Sequence, residues 1–273
     1  KKTLEQQNID QVIITTDKIS QKRKNEVFNF FKLQGVKIFT VPAIDQWANS
    51  QGIVGNLKPI IIEDLLRRDA IDIDLQKNVL QYQDKTILVT GAAGSIGSEI
   101  VRQLLKFKPH KLILFDQAET PLFDLKNELL KTKHTTQFEF LLRSVSNYAS
   151  VEQCFKAHTI DVVFHAAAYK HVYMTETTPA AAVLNNILGT KNVVDVAIKN
   201  KVVHFVMVST DKAVNPSNVM GASKRIAEMY LAKQAESCNT QLITTRFGNV
   251  LGSNGSVVPI FKEQIAKGGP VTV

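Results

Sequence analysis

An apolar, β-rich run, Ile87-Leu88-Val89-Thr90, passes without a break into Gly91-Ala92-Ala93-Gly94-Ser95-Ile96-Gly97 and then into a helical pattern. Few folds admit this order. A strand apolar on both faces belongs inside a parallel sheet. Glycines at this spacing let the chain turn tightly and let a pyrophosphate approach backbone N–H groups. The N-terminus of the following helix adds a positive dipole. Asp116 ends the next predicted strand, where a carboxylate accepts the hydroxyls of an adenosine ribose and repels a 2′-phosphate. The turn with its acid therefore points to NAD in preference to NADP, against the plainer reading of a glycine turn and a surface acid.

From Lys85 onward the pattern is regular. Strands are predicted at Thr86–Thr90, Lys111–Asp116, Phe138–Leu142, Asp161–His165, Val202–Ser209 and Leu242–Thr245. Helices are predicted between them at Ser95–Lys106, Thr120–Leu130, Ala149–Ala157, Pro179–Asn200 and Met220–Ala235. This alternation gives an α/β fold with a doubly wound, Rossmann-type parallel sheet. Ahead of it, Gln11–Thr15, the amphipathic stretch Lys18–Leu33 and Val36–Thr40 form a strand–helix–strand pattern, read as the remnant of a small α/β domain over residues 1–60. Pro42 to Asp84 is a mixed connector with an apolar patch at Pro59–Leu66, residues 61–84 being taken as linker and 85–273 as the catalytic domain.

The net charge of +8 is spread along the chain with no basic block, so it reads as solvated surface that attracts an anionic substrate; no nucleic-acid partner is expected. Cys154 and Cys238 lie far apart in no ligand pattern, which suits a reduced, cytosolic chain, and no metal site is expected. No stretch approaches the length of a membrane helix, and no signal peptide is visible. The first residue is Lys1, and the run Lys1–Asn8 is polar and helix-like, so the chain reads as a piece of a longer protein.

Two further strand ends open on the same crevice. His165-Ala166-Ala167-Ala168 offers small side chains on which a cofactor can lie, with His165 itself read as a satisfied structural histidine. Ser209-Thr210-Asp211-Lys212 offers polar groups. With these blocks the chain resembles the extended short-chain dehydrogenase/reductase family. Within that family it resembles the long, membrane-anchored UDP-N-acetylglucosamine 4,6-dehydratases of polysaccharide biosynthesis. The resemblance is carried by TGAAGSIGSE (Thr90–Glu99), FDQAE (Phe115–Glu119), HAAAYKHV (His165–Val172), STDKAVNP (Ser209–Pro216), NVMGASKR (Asn218–Arg225) and RFGNVLGSNGSVVP (Arg246–Pro259).

The resemblance implies an internal redox cycle on a UDP-sugar: oxidation at C4, loss of water across C5 and C6, and return of the hydride to C6. It implies that Gly91, Gly94, Ser95, Ile96, Gly97, Asp116, Gln117, Ser144, Val145, Ala166, Ala167, Ala168 and Lys224 hold the cofactor. Lys224 matches the lysine of a Tyr-x-x-x-Lys motif whose tyrosine position is Met220, a replacement that the long-form dehydratases share. Thr210 is then the candidate relay at the C4 hydroxyl. Asp211 and Lys212 match the elimination pair, as acid to the C6 hydroxyl and base to the C5 proton; a plain surface turn is the alternative. Lys170, His171, Asn186 and Asn249 are placed at the substrate, Asn186 as support for Lys224. Departures from the family are Ser144 in place of an adenine-binding Asp, Tyr173 in place of a Pro, and Asn254 in place of an Arg.

The resemblance also implies a homo-oligomer at the inner face of the cell membrane. A membrane anchor would precede this segment, and the rest of the substrate lobe would follow Val273. A UDP-sugar 4-epimerase is the nearest alternative, disfavoured by Met220 together with Asp211-Lys212. A non-catalytic NAD-binding scaffold is the alternative from another class.

Overall fold

The computed structural model describes residues 9–14, 20–32, 36–40, 58–59, 75–250 and 257–272. The chain divides into two compact units, Lys1–Asp72 and Ile73–Val273. In the first, β1 (Gln11–Ile14) runs parallel to β2 (Lys37–Thr40), with α1 (Gln21–Lys32) between them in sequence. A two-residue β3 (Lys58–Pro59) pairs antiparallel with β2. The run Lys1–Asn8, most of the Pro59–Leu66 patch, and Asn254 lie outside the described residues.

The second unit starts with α2 (Leu75–Tyr82), in the stretch read from sequence as connector. Its Tyr82 ring packs on Phe107 and Phe164. The elements that follow are β4 (Thr86–Thr90), α3 (Ser95–Leu105), β5 (Lys111–Asp116), α4 (Glu119–Leu130), β6 (Gln137–Leu142), α5 (Tyr148–Ala157) and β7 (Val162–His165). Next come α6 (Val172–Thr177), α7 (Pro179–Ala182), a π-helical turn (Val183–Leu188) and α8 (Gly189–Lys199). The unit continues with β8 (His204–Thr210), a 3₁₀ turn (Asp211–Ala213), α9 (Val219–Ala235), β9 (Gln241–Phe247) and α10 (Val257–Ala266).

The six strands are all parallel, in the order β6-β5-β4-β7-β8-β9. The order reverses between β4 and β7, and the crevice beyond the carboxyl ends of these strands is where such sheets take ligands. Strand alternation explains the apolar runs. Ile87 and Val89 of β4, with Leu112 and Leu114 of β5, enter one core with Val101, Leu104 and Leu122. Leu88, Ile113 and Phe115 enter the other, with Val163, Val193, Phe205 and Met207. Both faces are covered, so the middle of the central strands is apolar throughout.

One helix departs from expectation. The segment predicted as a single helix over Pro179–Asn200 contains the π turn at Val183–Leu188. A widened turn of this kind brings one extra residue inward. Here both Asn185 and Asn186 are buried within an otherwise apolar turn. The short α6 lies in a stretch where no helix was predicted.

Candidate active site

A cavity of about 780 Å³ opens at the switch point. Gly91, Gly94, Ser95, Ile96 and Gly97 line one end; Ala166, Ala168, Lys170 and His171 line the middle; Thr210, Lys212, Met220, Lys224 and Asn249 line the other. Residues scattered over more than 150 positions of sequence thus share one wall.

The glycine end is built by close backbone packing. Gly91 has φ +65°, and a Cβ on it would stand 2.5 Å from Ala167 N; a Cβ on Gly97 would stand 2.0 Å from Gly91 O. Gly91 N–H donates to Phe115 O and Gly94 N–H to Gly91 O, which pins the turn between β4, β5 and α3. The first turn of α3 lines this end of the cavity, and the amides of a helix's first turn find no acceptor within the helix itself.

Asp116 is buried at the end of β5. Its Oδ2 accepts from Ala93 N–H and its Oδ1 from Ala118 N–H, each at 2.9 Å, so the carboxylate also holds the glycine turn in place. Asp116, Gln117, Ser144, Val145 and Ala167 are not part of the cavity wall itself. A run of hydrogen bonds joins some of them to it. Ser144 Oγ–H donates to Gln117 Oε1 at 3.0 Å, Gln117 Nε2 donates to the Tyr169 hydroxyl at 3.0 Å, and Tyr169 lines the cavity. Val145 is buried against Gly189.

His165 is fully buried, and its tautomer follows from its neighbours. Thr190 Oγ1–H donates to Asn186 O, so at 2.9 Å it accepts from His165 Nε2–H. His165 Nδ1 therefore accepts from Thr90 Oγ1–H at 2.7 Å. Burial, helped by the nearby Lys224 charge, pushes the ring pKa down to about 3. Both ring nitrogens are thus satisfied within the fold, and the histidine is a structural one.

This has a consequence for stability. Between its ordinary 6.5 and about 3 the unfolded chain binds a proton that the folded ring refuses. Stability contributed by His165 is therefore complete above about pH 6.5 and is lost as pH falls, on the order of 4–5 kcal/mol over the whole window. In His165→Gln the fall in melting temperature between about pH 7 and 4 is expected to be shallower than in the unaltered chain. Equal slopes would show that the ring does not titrate this way.

Asn186 is placed otherwise than expected. Its Oδ1 accepts from Tyr169 N–H (2.8 Å) and Asn185 Nδ2 (3.2 Å); its Nδ2 donates to Tyr169 O (3.0 Å) and Ser223 Oγ (3.0 Å). With these four bonds its amide is saturated and fully buried, so it has no group left for a substrate or for Lys224. It clamps the Tyr169 backbone to α9 instead.

Lys224 is 4% exposed and lines the cavity. No hydrogen bond or salt bridge reaches its ammonium among the described residues. Burial pushes its pKa down to about 8, while Glu228 acts in the opposite direction. A buried, unpartnered ammonium is costly and marks a place where a ligand supplies the missing acceptors. Met220, buried one turn earlier, presents only a thioether.

At the cavity mouth Thr210 caps the 3₁₀ turn and donates to Asp211 Oδ1 at 3.0 Å. Lys212 Nζ donates to Asp211 Oδ1 at 3.1 Å and to Asn249 Oδ1 at 3.0 Å. The Lys212 hydrogen bond, with that of Thr210, holds the Asp211 carboxyl below its usual range, and its side chain is 55% exposed. Sequence reasoning missed Glu228, the buried acid beneath this mouth; its one signal is a helical spacing of four from Lys224. Among the described residues no cluster of three potential metal ligands occurs, and no helix is long and apolar enough to cross a membrane.

A family model described as polysaccharide biosynthesis protein matches residues 87–273. The chain is 47% identical to the capsular polysaccharide biosynthesis protein CapD of Staphylococcus aureus over 97% of this chain and 45% of that protein. The structure of Pen from Bacillus thuringiensis has 38% identity and a TM-score of 0.64, covering 68% of this chain and 56% of that one. UDP-glucose 4-epimerase of Thermus thermophilus, in complex with NAD, has 27% identity and a TM-score of 0.61, covering 69% and 65%. The chain thus spans less than half of the Staphylococcus relative.

Proposed function

The chain belongs to the polysaccharide biosynthesis protein family, and from that premise we propose that it is the NAD-dependent core of a 4,6-dehydratase acting on a UDP-N-acetylhexosamine, UDP-N-acetylglucosamine in the first instance. The observation that carries the proposal is the meeting of the glycine turn, the unpartnered Lys224 ammonium and the Thr210–Lys212 turn on one cavity.

The residues fit a dinucleotide. Gly91 and Gly97 let the turn pack closely on the end of β7 and on itself, the first turn of α3 presents amides to a pyrophosphate, and Asp116 keeps lone pairs for a ribose. The Asp116 carboxylate supports NAD over NADP. Lys224 would hold the nicotinamide ribose with its ammonium. The bound nicotinamide supplies a hydride acceptor and, later, the hydride donor.

The protein's own groups handle protons. Met220 cannot exchange one, so the Thr210 hydroxyl is the group at the C4 oxygen, relaying to the Asp211 carboxylate to which it already donates. Asp211 and Lys212 stand as an ion pair while open to water. The C4 proton makes Asp211 a carboxylic acid, and a Lys212 ammonium that has lost its counter-charge under a covering sugar releases its proton to water at the rim. The neutral Lys212 amine then takes the C5 proton, and the Asp211 carboxylic acid gives its proton to the departing C6 hydroxyl, which leaves as water. The ion pair is restored; Lys212 then returns a proton to C5 as C6 is reduced and recovers one from water, and Asn249 keeps Lys212 in place throughout.

Incubating the full-length protein with UDP-N-acetylglucosamine tests this. A 4-keto-6-deoxy product, lighter by one water, is expected. Asp211→Asn and Lys212→Ala are each expected to slow its formation by about 10²–10⁴-fold, the usual worth of a positioned acid or base. Dehydration at the unaltered rate in both variants would refute the assignment. A C4 epimer of equal mass would favour the epimerase reading, for which the likeness to the Thermus enzyme speaks. Tight NAD binding without turnover would leave a scaffold. Self-association, and anchoring at the inner membrane face through a segment beyond this chain, belong to the same proposal.

A further inference from the structure

Glu228 lies on α9 one turn beyond Lys224, and only 6% of it is exposed. Its carboxylate collects donors from three elements. Ser209 Oγ–H of β8 donates to Oε1 at 2.6 Å. Arg246 of β9 donates twice, Nε to Oε1 at 3.0 Å and Nη2 to Oε2 at 2.7 Å. Arg225 of α9 itself stands at 3.5 Å from Oε2. A two-pronged arginine contact of this kind fixes orientation as well as distance. As a source of stability alone the pair is weak, because Arg246 is 42% exposed and water screens its charge.

Each donor adjoins a residue of the cavity. Ser209 immediately precedes Thr210. Arg246 precedes the Phe247-Gly248-Asn249 stretch that lines the mouth. Glu228 shares a helical face with Lys224, since positions four apart on a helix are neighbours. We propose that Glu228 is a positioning residue for the site: one carboxylate that sets the ends of β8 and β9 against α9 and places a negative charge one helical turn from the Lys224 ammonium. The premise is the placement of Lys224 at the nicotinamide ribose proposed above.

The electrostatic half of this role has a direction. Burial lowers the Lys224 pKa to about 8, and Glu228 opposes that shift. Glu228 stays ionised because Arg246, its strongest partner, holds its carboxyl below the usual range. Other titratable groups share the cavity or the packed elements: Tyr169, Lys170 and His171, between β7 and α6, line the same wall as Lys224. His165 of β7 is neutral, Asp211 and Lys212 are paired with each other, and Glu176 of α6 accepts from Val219 N–H. Lys191 and Asp195 of α8 are paired together, and Asp195 also accepts from the Tyr230 hydroxyl. His204 lies at the far end of β8. Glu228 is thus the one anion of α9 and its packed neighbours that bears directly on Lys224 among the described residues.

The test is the affinity of the chain for NAD, measured by calorimetry across pH. Affinity falls where Lys224 loses its proton, near pH 8 in the unaltered chain. Glu228→Gln keeps the shape and loses the charge, so the midpoint is expected to move about one unit toward acid. Glu228→Asp keeps the charge and is expected to stay close to the unaltered chain. Arg246→Gln, a change on the solvent side of the pair, unmasks the Glu228 charge and moves the midpoint toward alkali. If Glu228→Gln and Glu228→Asp share one midpoint, or Arg246→Gln moves it toward acid, Glu228 does not act through Lys224. Should Glu228→Gln fail to fold, the direction of the Arg246→Gln shift decides alone. Absence of NAD binding by the unaltered chain would remove the cofactor reading and this inference together. The expected shifts without turnover of a UDP-sugar would keep the inference and remove the dehydratase.

Discussion

Gly91→Ala is expected to bring NAD binding below detection and to lower the melting temperature of the chain by about 5–15 °C. Two effects combine. At φ +65° an L side chain is strained by about 1–2 kcal/mol. The new Cβ also meets only backbone: Ala167 N at 2.5 Å, and Ala166 C and Ala167 Cα at 2.7 Å. No flexible side chain is there to yield, so the turn or the end of β7 must shift, at an overpacking cost of about 1–3 kcal/mol. Each kcal/mol lowers the melting point of a unit this size by about 2–4 °C. The displaced parts are those proposed to cradle a pyrophosphate, so binding is expected to suffer more than folding. Gly94→Ala provides the contrast, because its Cβ would meet a single atom, Gly91 O, at 3.3 Å. It is expected to lose far less affinity. Calorimetric titration of both variants is the check, and a Gly91→Ala chain that binds NAD as tightly as the unaltered one would contradict the geometry.

Lys224→Met is expected to give opposite signs in two assays. NAD affinity falls by about 10–100-fold, the worth of a charged hydrogen bond made inside an apolar wall. Thermal stability rises. At neutral pH the folded chain carries an ammonium whose pKa is depressed from 10.5 to about 8, a cost on the order of 3 kcal/mol. A group with this shift destabilises the fold below about pH 8 and ceases to do so as pH rises through 10.5. Methionine removes the charge and keeps the length, so a gain of several °C is expected at about pH 7 and little gain at about pH 10. A lower melting temperature at neutral pH would mean that the ammonium has partners within the fold, and it would no longer mark a ligand site.

The sheet was legible because its chemistry is local. Ile87-Leu88-Val89 and Leu112-Ile113-Leu114-Phe115 are buried on both faces, and a run of that kind has few other homes. Strand ends were less clear. β8 begins at His204, two residues later than predicted, because Val202 N–H bonds back to Ala197 O and Val203 N–H to Asp161 O. Those bonds depend on tertiary neighbours. The π turn was hidden for a related reason: Asn185-Asn186 inside a helix looks like polar surface until Tyr169 and Ser223 are known to lie beside it. At the cavity the glycine turn and the strand ends Ala166–Ala168 and Ser209–Lys212 were legible from pattern, whereas Lys170, His171, Met220, Lys224 and Asn249 were found through the family resemblance, which records their spacing. Glu228 belongs to no quoted motif. A glutamate in Lys-Arg-Ile-Ala-Glu reads as a solvated helix face, and its partners Ser209 and Arg246 come from two other strands.

The hydrogen-bond chain Thr90–His165–Thr190–Asn186 is an inert layer that lines none of the cavity. Every donor in it already has an acceptor, and the imidazole resists ionisation until strong acid. It carries no acid–base traffic. Under the proposed reaction, a hydrogen isotope carried by the solvent enters at the Asp211–Lys212 pair, whose side chains meet bulk water.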